Sequence, residues 1–246
     1  MSMRGRRLTV WVLVAGISLW GTSVTPQPRP RLSFPQVEAA LRLGKNLGHQ
    51  DLSGLDLTGL NFRGADLRAV NLTDADLEGV ALDGADLRGA ILVRANLRRA
   101  QLTGADLGAA DLTDAYLDGV TAPRSTWVRA TLLAASLRGA NLAQVEMLET
   151  RLEKADLHGA NLTEGSFVRA NFLGSKLVGA TLDRANLTLA SLVLADLTGA
   201  SLRYARLNGA NFSGANIDGA AFAHADASEA LNLAAARNAT TAIWGE

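Results

Sequence analysis

The sequence predicts an all-β solenoid that turns after every fifth residue, and three periodic patterns support this fold class. From Leu52 to Phe222, every fifth residue is large and apolar at all but one of 35 positions, and 26 of these are leucine. Alanine fills 24 of the 35 positions two residues earlier, and glycine fills 16 of the 35 positions two residues later. The phase of the pattern never slips, so one architecture has to bury the whole leucine column.

A period of five fits neither a single helix nor a single strand. On a helix, successive leucines would lie about 140° apart and would spread around the whole surface. On one continuous strand, they would alternate between opposite faces. Within each unit, however, alanine and leucine are two residues apart and share one face, while the Asp or Asn between them points outward. The glycine-enriched pair can then turn the chain, which coils around its own leucines.

These units resemble those of the pentapeptide-repeat family. Examples are residues 65–69 (ADLRA), 85–89 (ADLRG) and 195–199 (ADLTG). The resemblance covers residues 45–227 and implies a right-handed quadrilateral parallel β-helix with four pentapeptides per coil, or about nine coils. A rod of stacked strands has two open ends, which need covers.

Short α-helical caps are predicted at both ends of the solenoid. Over residues 33–44, Ser33 is a suitable N-cap, Pro35 suits the first turn, and Gly44 can end the helix. Residues 228–246 are predicted to form the C-terminal cap, with a second helix over residues 228–237. The segment after it is expected to fold back and to pack Trp244 on the last coil.

The N-terminus has the pattern of an export signal. Arg4, Arg6 and Arg7 precede a mostly apolar run from Leu8 to Gly21, which is short for a transmembrane helix. Residues 1–23 are therefore predicted to be a signal peptide, or an N-terminal membrane anchor if they are not cleaved. A Pro-rich spacer follows over residues 24–32. The expected location is exported: periplasmic or extracellular, or anchored in the inner membrane.

The repeat is weakest around Ala122, where alanine replaces leucine and a proline follows. Proline cannot donate to a β ladder, so Pro123, Arg124 and Ser125 are predicted to form a loop or kink. One interpretation is a local bulge, and the other is a protruding loop that binds a partner. Trp127 is expected to re-enter the column as an oversized filler.

Four units per coil place residues twenty apart in one stack, so outward-facing apolar residues can be grouped. A candidate interaction patch of nine residues results, consisting of Val93, Val128, Leu133, Leu148, Val168, Leu173, Leu189, Val193 and Leu194. A contiguous apolar patch typically marks an interface. It could form a homodimer, bind another protein or seat the C-terminal segment. Alternatively, these residues serve only strand propensity.

The sequence contains no pattern that predicts catalysis. It has no cysteine, and its three histidines are far apart, so neither a thiol nucleophile nor a metal site is expected. A phosphate-binding loop and a nucleophile elbow are also missing. A possible calcium-binding row of Asp66, Asp86 and Asp106 is disfavoured because Arg68 and Arg88 compensate it. No cofactor and no enzymatic activity are expected.

Two functions from different classes remain open. The first is a non-catalytic exported scaffold that acts in protein–protein interaction or self-association; if the N-terminal segment is retained, it would be a membrane-tethered spacer. The alternative, from the same resemblance, is a DNA mimic that binds a topoisomerase such as gyrase, as the quinolone-resistance members do. The formal charge is zero overall, and about −3 without residues 1–23. This balance argues against nucleic-acid binding by bulk positive charge and also against a strongly anionic DNA mimic.

Overall fold

The computed structural model describes residues 31–44 and 46–245. The predicted signal peptide or anchor, and most of the predicted Pro-rich spacer, lie outside this range. Within the described residues, no helix has the length and apolar character required to span a membrane.

Parallel bridges between residues twenty apart build the solenoid. Asp51 pairs with Asn71, Asp56 with Asp76, and the same spacing continues to the pair Asn211–Leu231. Four pentapeptides therefore complete one coil, as predicted. We number the faces in chain order by their first rungs, which are Asp51 (face 1), Asp56 (face 2), Asn61 (face 3) and Asp66 (face 4). Each strand is reduced to a single bridged residue per face. The right-handed sense of winding stays a prediction.

The core is one continuous column of leucine-position and alanine-position side chains. Every leucine-position residue from Leu47 to Phe222 is buried, including Ala122 and Trp127. Five aromatic residues join Trp127 among the largest buried side chains, and these are Phe62, Phe167, Phe172, Phe212 and Phe222. Burial of one leucine contributes about 2 kcal/mol before the loss of chain entropy is counted.

Hydrogen bonding within one repeat explains the Asp or Asn beside each leucine. In the unit that starts at Asn71, four backbone N–H groups donate to backbone oxygens of adjacent coils or of the same turn. The fifth, of Thr73, donates to the Asn71 side-chain oxygen at 3.1 Å. The same bond recurs from Thr163 to Asn161 and from Thr198 to Asp196. In units that begin with Asp or Asn, the geometry is therefore supported by a side-chain acceptor two residues before the N–H that the backbone ladder leaves free.

The chain turns each corner through a residue with positive φ. Gly54 has φ +62°, and the N–H of Leu55 closes the turn onto the Leu52 carbonyl. This arrangement is that of a type II turn, whose third residue favours glycine. Many corners carry other residues, including Ala109 and Ala134 at φ +55°. Side chains at these corner positions form ridges along the edges of the rod.

Helix α1 (Phe34–Arg42) covers the first coils. The Gln36 side chain accepts a hydrogen bond of 2.8 Å from the Ser33 N–H, and Val37 is fully buried against the core. Just before the helix, Arg31 bridges to Asp51, and the Leu32 N–H donates to the Asp51 carbonyl. These two residues at the end of the predicted spacer thus belong to the solenoid.

The predicted C-terminal helix over residues 228–237 is wrong. In the structure this segment continues the solenoid, because Leu231 bridges to Asn211 and Arg237 bridges to Asn216. Leu233 is buried. The open ladder offers backbone donors and acceptors to the incoming chain, and these bonds override the helix propensity of an alanine-rich sequence.

The last residues cover the end of the core. A 3₁₀ helix spans Ala239–Thr241, and Ile243 then bridges to Ala221. The Trp244 ring stacks on Phe222 with 4.7 Å between ring centroids, as expected for a segment that folds back on the last coil.

Candidate interaction surface

The predicted loop at Pro123, Arg124 and Ser125 is absent, and the three residues lie in a regular repeat unit. The Ala122 N–H donates to Asn141 O at 2.8 Å, and the Arg124 N–H donates to Ala143 O at 3.0 Å. Pro123 occupies the one position whose N–H is not used in the backbone ladder. Proline is also favoured as the second residue of a type II turn. Neither a bulge nor a protruding loop forms here.

Trp127 is accommodated by changes in the residues just before it. Its indole N–H donates to the Ser125 hydroxyl at 2.6 Å, and that hydroxyl donates to the Ala122 carbonyl at 2.5 Å. All three residues are fully buried. Ser125 replaces the usual alanine to satisfy the indole, while the small side chain of Ala122 offsets the large ring within the same coil.

The apolar residues of the predicted patch lie on two adjacent faces. Face 1 carries Val93, Leu133, Leu173 and Val193 in one column, and face 4 carries Val128, Leu148 and Val168 in another. Thr113 separates Val93 from Leu133 in the first column. All of these side chains are partly or fully exposed.

A charged ridge runs along the edge between faces 4 and 1 and separates the two apolar columns. Arg129 Nε lies 2.8 Å from Glu149 Oε2, and Arg169 Nη1 lies 3.8 Å from Glu149 Oε1. The hydrogen bond from Arg129 lowers the pKa of the Glu149 carboxyl. The nine predicted residues therefore do not form one continuous patch.

Toward the C-terminus, the ridge becomes apolar at Leu189. Leu189 is 52% exposed, Leu194 at the next edge is 59% exposed, and Leu173 between them on face 1 is 39% exposed. Together with Val193 they form what we call the apolar edge. A Cβ atom on Gly209 would lie 2.7 Å from Leu189 Cδ2, and one on Gly214 would lie 2.9 Å from Leu194 Cδ2. Each of these leucines thus rests on a glycine of the following coil.

The C-terminal segment does not cover the apolar edge. Its residues extend the ladder at the end of the rod, through the bridges of Leu231, Arg237 and Ile243. The interpretation of the patch as a seat for this segment is therefore wrong, and the leucines of the edge stay exposed among the described residues.

Glu153 interrupts the apolar column of face 1 between Leu133 and Leu173. Its Oε1 accepts hydrogen bonds from Arg151 Nε at 3.2 Å and from Asn171 Nδ2 at 3.0 Å. Its Oε2 is buried and has no hydrogen-bond partner among the described residues. The charged Glu153 side chain therefore separates Leu133 from Leu173 in this column.

The acidic rows are neutralised by arginines. Arg68 Nη2 lies 2.6 Å from Asp66 Oδ2, and its hydrogen bonds lower the pKa of the Asp66 carboxyl to about 2. Arg88 pairs in the same way with Asp86 at 2.5 Å. Within residues 31–44 and 46–245, no group of three or more His, Cys, Asp or Glu side chains is placed to hold a metal ion.

The repeat units and their geometry agree with a known family. The family model for pentapeptide repeats (8 copies) matches residues 46–83, 81–119, 132–172, 155–192, 166–203 and 195–231. The chain belongs to the pentapeptide-repeat family. The stretch between residues 119 and 132, which no match covers, contains Ala122, Pro123 and Trp127, although its backbone follows the same coil.

Two solved structures are similar to this chain. HetL, a pentapeptide repeat protein involved in heterocyst differentiation regulation in the cyanobacterium Nostoc sp., is 31% identical; the match covers 84% of this chain and 97% of HetL, with a TM-score of 0.48. A trypsin-treated variant of QnrB1, a plasmid-mediated fluoroquinolone resistance protein, is 19% identical over 68% of this chain and 89% of its own, with a TM-score of 0.60. The second likeness shows a shared fold. A search of curated proteins gave no match.

Sequence reasoning missed two features of the surface. The first is the acceptor role of Asp and Asn in the repeat. The unit that contains Pro123 starts with Thr121 and has neither Asp nor Asn, and this exception could have revealed that role. The second is the composition of the edges, because writing out every twentieth residue from Ala109 would have exposed the charged ridge. The same exercise from Arg124 finds Arg184, Tyr204 and His224 in one column at the edge between faces 3 and 4.

Proposed function

We propose that this protein is a non-catalytic, exported scaffold that binds a protein partner or a second copy of itself through the apolar edge. The observation that carries the proposal is the exposure of Leu173, Leu189 and Leu194 on adjacent coils of a rod that buries the leucine positions of its repeat. Single exposed apolar residues are normal on protein surfaces, but a contiguous group typically marks an interface.

The rigidity of the solenoid supports this role. Each coil is bonded to its neighbours through backbone hydrogen bonds at all four faces, so the spacing of the edge leucines is fixed before a partner binds. Successive rungs are about 4.8 Å apart. The scaffold would therefore lose little conformational entropy when it binds a partner with complementary apolar side chains.

Site-specific crosslinking tests the apolar edge directly. A photoreactive amino acid at position 189 should give a discrete adduct, either with a partner or with a second copy, because this position lies at the contact. The matched control is position 109, which lies on the same edge and also has positive φ. Equal adduct yields at both positions would contradict the proposal.

Charge substitution provides a second test. The double variant Leu189→Glu/Leu194→Glu should abolish the adduct or the self-association measured by analytical ultracentrifugation, since two carboxylates would be desolvated in the contact. Ala109→Glu introduces the same side chain beside Arg129 and should leave both unchanged. A double variant that associates like the wild type would exclude the edge as the interface.

Export is the part of the proposal that rests on residues 1–23. Cell fractionation and N-terminal sequencing of the mature protein test it. A mature chain that starts near Val24 in an exported fraction supports cleavage, whereas an intact N-terminus in the membrane fraction supports an anchor. An intact chain in the cytoplasm would overturn the export proposal.

The topoisomerase-binding alternative is less well supported. A DNA mimic needs a continuous anionic surface, whereas Asp66 and Asp86 are each paired with an arginine on face 4. Face 2 likewise joins opposite charges, with Arg98 Nε 3.3 Å from Asp118 and Arg138 Nη1 2.9 Å from Asp156. Protection of gyrase supercoiling activity by the purified protein would favour this alternative over the proposed scaffold.

A further inference from the structure

A shallow groove of about 330 Å³ lies at the C-terminal end of the edge between faces 3 and 4, lined by Arg203, Tyr204, Ala223 and His224. We propose that this groove binds the carboxylates of an acidic segment on a protein partner. The site is separate from the apolar edge and lies across face 4 from it. Its failure would therefore leave the proposed function untouched.

One wall of the groove is a stack of side chains in register with the coils. The Tyr204 and His224 rings are parallel, with 4.8 Å between centroids and 15° between planes. On the other side of Tyr204, the Arg184 guanidinium lies 5.6 Å from the ring centroid. The 4.8 Å spacing of the two rings equals the usual distance between stacked strands, so the side chains stack in the register that the backbone sets.

Arg203 supplies the positive charge of the groove. Its guanidinium makes neither an ion pair nor a hydrogen bond with another described residue, whereas most arginines along the rod are paired. The Asp183 carboxylate lies one coil away, but its Oδ1 accepts from the Ser201 hydroxyl and from the Arg203 backbone N–H. Asp183 is therefore held by neighbours that leave the Arg203 side chain exposed.

The other acidic groups near the groove also have partners. Glu164 accepts a hydrogen bond from Gln144 at 2.9 Å and lies 3.8 Å from Arg184. Asp226 accepts a hydrogen bond from the Ser228 hydroxyl, which lowers the pKa of its carboxyl. The Arg203 guanidinium, which has no ion pair among the described residues, thus faces solvent beside two aromatic rings.

The shape of the groove favours a carboxylate carried by a protein over a free small anion. Only four residues line it, and Tyr204 is 52% exposed, whereas pockets for small molecules bury most of the ligand surface. Ala223 is 5% exposed and forms a low floor beside the long Arg203 side chain. Arginine and tyrosine around a small depression are typical of protein-binding hot spots, and a guanidinium binds a carboxylate in a bidentate manner.

Fluorescence anisotropy of the full-length protein with a labelled hexaglutamate peptide tests the proposal. Arg203→Gln should weaken binding about tenfold, the effect of losing one charge-assisted hydrogen bond. Tyr204→Gly should also weaken binding, and glycine suits its φ of +60°. Arg124→Gln is the matched control, because Arg124 lies on the same edge and has no ion pair among the described residues. It should change binding less than twofold.

Backbone NMR shifts locate the binding site. Hexaglutamate should shift the amide signals of Tyr204, Ala223 and His224, and a hexaglutamine peptide should not. Equal losses for Arg203→Gln and Arg124→Gln, or shifts spread along the whole rod, would overturn the proposal. Shifts produced by inorganic phosphate and not by hexaglutamate would indicate that the groove binds a free anion, and would also overturn the proposal.

Discussion

Gly165 shows how a single residue departs from the repeat for a reason of packing. A Cβ atom at this position would lie 2.6 Å from Cε2 of Phe167, whose ring is fully buried. The Phe167 ring, as it is packed here, fills the space that the alanine methyl group occupies in most other units. Ser125 and Trp127 form a second such pair, in which the alanine position supplies a hydroxyl for the indole N–H.

We therefore expect Gly165→Ala to destabilise the protein by about 1–3 kcal/mol, because a methyl group is forced into a filled core. In a Phe167→Leu background, the same substitution should cost much less. Urea denaturation of the four proteins of this double-mutant cycle measures the coupling. Additive effects would show that the ring and the missing methyl group do not share the same space.

Ser175 offers the opposite case, a buried hydroxyl without a partner. Its Oγ has no hydrogen bond among the described residues, so Ser175→Ala should stabilise the protein by about 1 kcal/mol in thermal or urea unfolding. Ser125→Ala is the matched control at another alanine position. It should destabilise the protein because it removes the acceptor of the Trp127 indole. Loss of stability in Ser175→Ala would show that its hydroxyl is satisfied in solution.

At the scale of the element, a pentapeptide that begins with Asp or Asn is a turn held by one side-chain acceptor. The period of five predicted the buried column and the turn, because both follow from which residues share a face. The predicted loop at Pro123 was wrong since the rule that proline disrupts strands was applied to a unit with only one bridged residue. In this repeat, the N–H that proline lacks is the one that bonds to a side chain.

Removal of the acceptor should therefore weaken a turn. Asn161 Oδ1 accepts from the Thr163 N–H at 3.1 Å and from the Thr163 hydroxyl at 2.7 Å. Asn161→Ala should cost about 1 kcal/mol of unfolding free energy. Thr121→Ala is the control, because Pro123 has no N–H to be satisfied two residues later. Similar losses in both variants, measured by urea denaturation, would argue that the acceptor is not what stabilises the turn.

At the scale of the whole molecule, the two ends of the rod differ. The helix over residues 34–42 is encoded locally by Ser33, Gln36 and Gly44, and such signals can be read from sequence. The C-terminal segment has comparable helix propensity, yet it extends the ladder because Asn211, Asn216 and Ala221 present open pairing positions. Likewise, the predicted patch is divided by the charged residues on the edge between its two columns. Grouping the apolar residues of each column does not reveal what lies on that edge.

Deletion of residues 228–246 should expose Phe212 and Phe222 at the end of the column. We expect a lower midpoint of thermal unfolding and increased light scattering, because an uncovered ladder pairs with other chains. Hydrogen exchange should change only in the last coils, since solenoid stability is local. Trp244→Ala, which removes only the ring stacked on Phe222, should have a smaller effect. A uniform rise in exchange along the whole rod would contradict local stability.

Because residues twenty apart pair, insertions or deletions of twenty residues should affect the rod differently from those of five residues. Loss or duplication of twenty residues shortens or lengthens the rod by one coil, and every later side chain stays on the same face. Loss of five residues instead rotates everything downstream by a quarter turn. If the five residues were lost between Gln144 and Leu189, Leu189 would lie in the column of Arg124 and Gln144, at the edge between faces 3 and 4. A lineage that depends on aligned leucines should therefore tolerate indels in multiples of twenty and reject the single pentapeptide.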